Sequence, residues 1–473
     1  MLGEPLFGEG DIRIVIIGGG ATGVLLACHL LRDPSGPWGR RPARRVQVTI
    51  VEKSDSAGLG LAYGTRNAEH LLNVRASNMS AFPDEPEHFW NWVRSNGLDT
   101  GLSCSDAFCF VPRQIYGRYL ADLLQSHRVG RSPRQELHVV RGECASLRPT
   151  RLGVEVKLTD GSSHFGHIAV LATGNEAPPN AHGRYGVSPW QEPRQAGVMA
   201  EDAVLIMGSG LTMVDYVLTL LQARHRGPIT AISRRGLLPQ PHRAIAPFII
   251  DAADIPFGTD ISYILRWLRD LVETGLAPDQ DWRSVIDALR PFTHDLWQSW
   301  PEPAKRRFLR HARAWWDVHR HRTAPQIDRR LRAAIASGQV NVIAGKVAKI
   351  AAGPDGGVAV TYRRRGAMEM ETIRVAKIAE CVGVAVPLPQ STNPVLQNLL
   401  EQGLARPDSI GFGLDVASDC AVIGRAGKPS TKLFALGPLT RGRFWESVAI
   451  PDIRLQCAEL AQRILLRALV AAE

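Results

Sequence analysis

A chain of 473 residues with 45% hydrophobic and 22% charged content is ordinary globular material, long enough for two or three packed units. Its formal net charge of +10 comes from arginines scattered along the chain rather than from a lysine-rich tail or an aromatic-basic module, which argues against a nucleic-acid partner. The seven cysteines are an odd number in a long chain, so reduced thiols are expected rather than a disulfide framework.

The first apolar run, IRIVIIGGGATGVLLACHLL (12–31), is broken by glycines where an export or membrane segment would be continuous, so a cytoplasmic protein with no membrane association is expected. It spells strand, glycine turn and helix, and in that context Gly18-x-Gly20-x-x-Gly23 predicts a dinucleotide site. Gly18 permits the tight turn, Gly20 lets a pyrophosphate approach the backbone, and Gly23 lets helix and strand pack closely. The phosphate charge then meets the helix N-terminus.

A polar insertion (33–45) precedes the second strand, VQVTIVEK (46–53), and explains why Glu52 lies 34 residues beyond Gly18 instead of the usual roughly 20. A carboxylate at Glu52 would accept the adenosine ribose hydroxyls and repel a 2′-phosphate, favouring FAD or NAD over NADP; Lys53 beside it joins the cofactor-binding set. Cys104 and Cys109 have the C-x4-C spacing of flavin disulfide reductases but sit far downstream of the first glycine turn, so ordinary thiols are expected there. A short apolar strand ending in glycine, IAVLATGN (168–175), closes this part.

The plan then repeats. AVLIMGSGLTMVDYVLTLL (203–221) carries Gly208-x-Gly210, with Met213 where a third glycine would stand. The next strand, ITAISRRG (229–236), ends in Ser233, Arg234 and Arg235 instead of an acid, and two planar guanidinium forks there suit a 2′-phosphate. NADPH is therefore expected at the second site. A stretch rich in Trp, Arg and His (about 258–336) is expected to be a helical insert without a metal, its tryptophans packed together. The alternative for that stretch is a cap whose Arg320, His321 and Arg322 meet an acidic substrate. IAECVGV (378–384) repeats the strand ending in glycine, and the C-terminal segment forms a strand, glycine turn and amphipathic helix that return to the first domain. The expected fold class is α/β with two Rossmann-type dinucleotide-binding domains, the second inserted into the first: residues 1–200, then 201–385 with the insert, then 386–473.

GLGLAYGT (58–65), HLLNVRASNMSAFPD (70–84), FVPRQIYGRYL (110–120), LATGN, GSGLTMVD, SRRGLLPQPHR and LGPLTRGRFWES occur in this order. With them the chain resembles the bacterial FAD/NAD(P)-binding proteins, a group similar to the flavin-dependent N-hydroxylating and Baeyer-Villiger monooxygenases. The resemblance implies that FAD occupies the first site, that Leu72 and Asn73 line the flavin, and that Pro112 and Arg113 precede a helix beside it. It further implies that Thr173 and Gly174 close over the FAD, and that Gly437, Pro438 and Arg441 bring backbone amides and charge to the flavin. Asn73 and Arg441 are the implied catalytic positions. One departure separates the chain from the Baeyer-Villiger subclass: PPNAHGRYGVSPW (178–190) keeps Trp190 but has Gly186 where the signature histidine belongs.

The implied activity is hydride transfer from NADPH to FAD, followed by transfer of oxygen from O2 to a small nucleophilic substrate such as an amine or amino acid. The same motifs also fit an electron-transfer reductase or a nucleotide-binding redox sensor.

Overall fold

The computed structural model describes residues 10–32, 44–55, 57–98, 108–128, 134–176, 180–353, 356–383 and 386–470. Packing divides the chain into two units, one made of residues 1–66, 75–176 and 386–473, the other of residues 67–74 and 177–385.

At the centre of the first unit, the strand Ile12–Ile17 buries five of its six side chains, as a parallel sheet covered on both faces requires. It pairs in parallel with Val46–Glu52 on one side and with Ile168–Leu171 on the other. Gln135–Arg141 and Pro429–Ala435 extend the sheet in parallel, and the short Ala421–Ile423 pairs antiparallel at its edge. The C-terminal segment thus supplies strands to the sheet that begins at residue 12. The helix Ala21–Leu31 starts immediately after Gly20, buries nine of its 11 residues, and packs against the helix Ile450–Val470. Each fully buried Leu or Val in such a helix contributes about 1.5–3 kcal/mol, so the glycine turn is held by the core behind it. A separate antiparallel sheet, Cys144–Pro149, Val154–Leu158 and Ser163–Gly166, is the crossover between the third and fourth parallel strands.

The second unit repeats this order with a seven-stranded sheet. Val204–Met207 lies between Ile229–Ser233 and Lys377–Glu380, both parallel to it. The crossover strands here continue the main sheet: Val340–Ala352 pairs in parallel with Ile229–Ser233 as far as Ala344 and antiparallel with Val358–Arg364 from Gly345 on, with an irregularity between Val347 and Lys349. Helices Ile261–Thr274, Trp282–Leu289, Thr293–Ser299, Glu302–His311, Arg313–Arg320 and Pro325–Ala336 fill the insert. Asp260 and Asp281 cap the first two by accepting backbone N–H groups, a standard N-terminal device. Trp297 and Trp300 are buried against Phe308, whereas Trp315 is 45% exposed. No helix among the described residues is long and apolar enough to cross a membrane.

Candidate dinucleotide sites

In the first unit the three glycines do three different things. Gly18 has φ +108°, and a Cβ there would stand 2.5 Å from Ala172 O, at the end of the neighbouring strand. A Cβ on Gly23 would overlap Gly18 O. Both are required by the fold itself. Gly20 is not, because a Cβ there would meet nothing nearer than Gly60 Cα at 3.8 Å. Gly20 also begins the helix with no side-chain cap, leaving the first N–H groups for an anion. The residues therefore fit a dinucleotide pyrophosphate, with open space at the one glycine that the backbone does not need.

Glu52 closes this loop from the second strand. Its Oε2 accepts the Gly19 N–H at 2.6 Å, and its Oε1 accepts the Ser54 N–H and hydroxyl, both at 2.8 Å. A carboxylate offers about four lone-pair positions, so capacity remains for ribose hydroxyls. Gly19 makes the approach possible, since a Cβ there would lie 2.9 Å from Glu52 Cβ. The run at 58–60 joins from the other side: Gly58 donates its N–H to Gly19 O at 2.6 Å, and Gly58 and Gly60 have φ +98° and +53°.

Lys53 points elsewhere, its side chain 69% exposed and its Nζ 3.5 Å from Glu143 Oε1. Arg113 is buried at the start of the helix Arg113–Arg128. Thr173 and Gly174 follow the strand Ile168–Leu171, just beyond the Ala172 carbonyl that abuts Gly18. Gly437, with φ +67°, and Pro438 open a buried turn, Gly437–Thr440. Gln456 holds that turn by accepting the Gly437 N–H at 2.7 Å and donating to Thr440 Oγ1 at 3.0 Å. Arg441 follows it, its guanidinium 5.8 Å from the Phe412 ring centre.

The second unit reproduces the loop with a different closing residue. Gly208 has φ +115°, and a Cβ there would overlap Cys381 O, the counterpart of Ala172. Nothing lies within 4 Å of a Cβ on Gly210, which again begins its helix, Leu211–Gln222, without a side-chain cap. Met213 is fully buried where Gly23 stands in the first unit. By strand register Ser233 stands where Glu52 stands, one residue past the partner of the last residue of the central strand. Its hydroxyl lies 2.7 Å from the Ser209 hydroxyl and accepts the Gly236 N–H at 3.0 Å. A small neutral group thus replaces the acid. Arg234 is exposed beyond it, while Arg235 donates to His311 O at 2.9 Å and sits 5.9 Å from the Trp315 ring centre.

Asn73 belongs to the second unit, in the segment 67–74. Its carbonyl accepts from His242 Nε2 at 3.0 Å. Earlier in the same segment His70 Nε2 lies 2.8 Å from Thr219 Oγ1 and 3.1 Å from Asp215 O, both on the helix that begins at Gly210. Sequence reasoning did not single out His70, His242 or Thr219, because the pairs they form are more than 140 residues apart.

At Gly186, where the signature histidine belongs, a Cβ would meet Asn180 Oδ1, the end of a side chain whose Nδ2 donates to Gly183 O and Gly186 O, so a larger residue there requires Asn180 to move. Six cysteines are described, all buried and unbridged; Cys104 lies outside the described residues. Burial pushes the thiols of Cys28, Cys144 and Cys420 up to about 12, and it raises those of Cys381 and Cys457 as well. Among the described residues no three His, Cys, Asp or Glu side chains gather as a metal site.

Residues 15–176 match the family described as FAD-NAD(P)-binding. No curated protein sequence matches the chain. Among solved structures, the fold is similar to that of L-lysine 6-monooxygenase from Pseudomonas syringae, with 17% identity, a TM-score of 0.65, and 96% of this chain and 99% of that one covered. It is similar to an FAD-bound cadaverine monooxygenase of desferrioxamine biosynthesis from Erwinia amylovora, with 14% identity, a TM-score of 0.62 and coverages of 98% and 95%. It is also similar to thioredoxin reductase from Lactococcus lactis, with 14% identity, a TM-score of 0.52 and coverages of 97% and 100%. At these identities the likeness establishes the fold. The cofactor class named by the matching family, FAD with NAD(P), is the class that the two glycine loops predict.

Proposed function

We propose that this chain is an FAD-dependent, NADPH-consuming monooxygenase that places one oxygen atom on a nucleophilic atom of a small substrate. The observation that carries the cofactor half of the reading is the paired loops: one phosphate cradle closed by Glu52, the other closed by Ser233 and followed by Arg234 and Arg235. The first suits an unphosphorylated adenosine ribose and the second a 2′-phosphate. Bound FAD would supply the hydride acceptor and the site of oxygen reduction.

The side chains then have only binding and positioning tasks. The uncapped helix starts at Gly20 and Gly210 receive phosphates; Glu52 fixes the first loop and the ribose; Arg234 and Arg235 select NADPH. Asn73, with its carbonyl fixed by His242, is assigned as a polar contact to the reacting end, and Arg441 as the charge beside the flavin. For an amine substrate the balance is NADPH + H⁺ + O2 + RNH2 giving NADP⁺ + H2O + RNHOH. The fold likeness to lysine and cadaverine monooxygenases supports this direction. The likeness to thioredoxin reductase supports electron transfer to a dithiol instead. Burial raises the pKa of Cys28, Cys144, Cys381, Cys420 and Cys457, which argues against a dithiol exit at those five positions, because thiolate is the reactive form.

The test is turnover with NADPH and isotopically labelled O2 in the presence of primary amines and amino acids. One labelled oxygen in the organic product is expected. NADPH oxidation that passes only to quinones or dyes contradicts the reading.

A further inference from the structure

The helical insert of the second unit buries three arginines, each less than a tenth exposed: Arg283 on the helix Trp282–Leu289, Arg320 at the end of Arg313–Arg320, and Arg322 two residues further on. Arg283 is held in place. Its Nε donates to Pro241 O at 3.0 Å, its Nη1 donates to Asp281 at 2.7 Å, and its guanidinium lies 4.3 Å from the Trp282 ring centre. Arg322 is hydrogen-bonded at one end only, with its guanidinium 6.0 Å from the Trp282 ring centre. Its Nη2 donates to Asp287 Oδ1, while Nε and Nη1 are buried with no acceptor. Burial lowers its pKa, and the charges of Arg320 and Arg283 lower it further against the pull of Asp287.

Charged donors left unmet in a protein interior are costly, more so than neutral ones. Asp287 is on the surface side of this arrangement, with a side chain 45% exposed against 3% for Arg322. A carboxylate that reaches in from solvent to a buried guanidinium marks the route by which another oxyanion could arrive. The neighbouring chain ties this place to Asn73: Thr323 donates to Gln240 O and His242 donates to Thr323 O, both at 2.9 Å, and His242 Nε2 donates to Asn73 O.

We infer that Arg322 is an oxyanion subsite, guarded by Asp287, that takes the carboxylate of a small-molecule substrate. Calling the ligand a substrate rests on the function proposed above, but the anion site does not. An oxyanion that displaces Asp287 meets the Arg322 donors, with Arg283 and Arg320 adding attraction. The preferred substrate then carries a carboxylate as well as its nucleophile, which distinguishes an amino acid from a simple diamine.

The test uses oxidised, FAD-loaded protein without NADPH, at constant ionic strength in chloride, titrated with acetate and separately with inorganic phosphate. Thermal-unfolding midpoint and calorimetric binding are read for the wild type, Asp287→Asn and Arg322→Gln. Acetate should raise the midpoint of the wild type, bind at least fivefold more tightly to Asp287→Asn, and lose its effect in Arg322→Gln. Acetate binding that is equal in wild type and Asp287→Asn, or that survives in Arg322→Gln, overturns the proposal. Phosphate binding lost in Arg234→Ala but kept in Arg322→Gln, with no acetate effect, assigns the anion to the nucleotide 2′-phosphate and also overturns it. If Arg322→Gln does not fold, the Asp287→Asn comparison decides alone, because Asp287 is half exposed. No arm needs oxygen chemistry, so failure here leaves the monooxygenase reading intact, and failure of that reading leaves the anion site testable.

Discussion

The Gly19 N–H donates to the Glu52 carboxylate at 2.6 Å, so the acid is part of the phosphate loop before any ribose arrives. Glu52→Ala removes both the loop tie and the proposed ribose acceptor. A lost charge-assisted hydrogen bond costs about 1.5–3 kcal/mol, which corresponds to roughly a 10- to 100-fold weaker FAD affinity. Titration of the apoprotein by flavin fluorescence checks this, and an unchanged affinity would show that Glu52 serves neither role.

Gly20 and Gly23 should separate binding from folding. Gly20→Ala adds a methyl group to open space, so the apoprotein should keep its unfolding midpoint and lose FAD retention. Gly23→Ala drives a methyl group into Gly18 O and should lower the midpoint itself. Calorimetry of both apoproteins with flavin-content assays decides. Equal behaviour of the two variants would mean that Gly20 is not on the pyrophosphate path.

The second unit should show its own nucleotide choice. Arg234→Ala is expected to weaken NADPH by about 1.5–3 kcal/mol, the scale of a charge-assisted pair, with NADH nearly unchanged. Gly210→Ala should weaken both nucleotides, since its Cβ would enter the phosphate space and nothing else. Reduction kinetics with each nucleotide measure the difference. Equal weakening of NADPH and NADH by Arg234→Ala would assign that arginine to the fold.

Burial takes the His29 pKa from its ordinary 6.5 down to about 4, partly offset by its hydrogen bond to Ala81 O at 3.1 Å. Below pH 6.5 the unfolded chain therefore binds a proton that the folded chain refuses. The stability from neutral His29 is fully present above pH 6.5 and is lost as the pH falls toward 4, by up to about 3 kcal/mol at 1.36 kcal/mol per pKa unit. Denaturant unfolding of wild type and His29→Gln across that window should show a steeper acid loss in the wild type. Parallel curves would contradict it.

Much of this was legible in the sequence because it rests on local constraints. Gly18, Gly23 and Gly208 mark places where backbone meets backbone, and a strand, glycine turn and helix in succession leave few alternatives. The contrast between Glu52 and Ser233 was legible for the same reason, since both end a strand at the same register. What could not be read depends on distant partners. Nothing near residues 67–74 announces that His70 meets Thr219 or that Asn73 is fixed by His242, 149 and 169 positions away. Arg322 was readable only as one of three residues, with Arg320 and His321, that a cap would turn toward an acidic substrate. The composition around it is that of a solvated arginine-rich helix, and only packing shows which guanidinium is sealed in.

The central claim, that reduced flavin in this protein hands oxygen to a substrate, is tested most directly by stopped-flow absorbance. Protein reduced anaerobically with NADPH is mixed with O2, without any need to know the substrate. A monooxygenase that retains the oxidised nucleotide in its second glycine-loop site should pass through a spectrum distinct from both reduced and oxidised flavin before the oxidised spectrum returns. That species should decay faster when the true substrate is present. Direct return to oxidised flavin with no intervening spectrum, together with rapid turnover on a quinone or dye, would contradict the account and assign the chain to electron transfer.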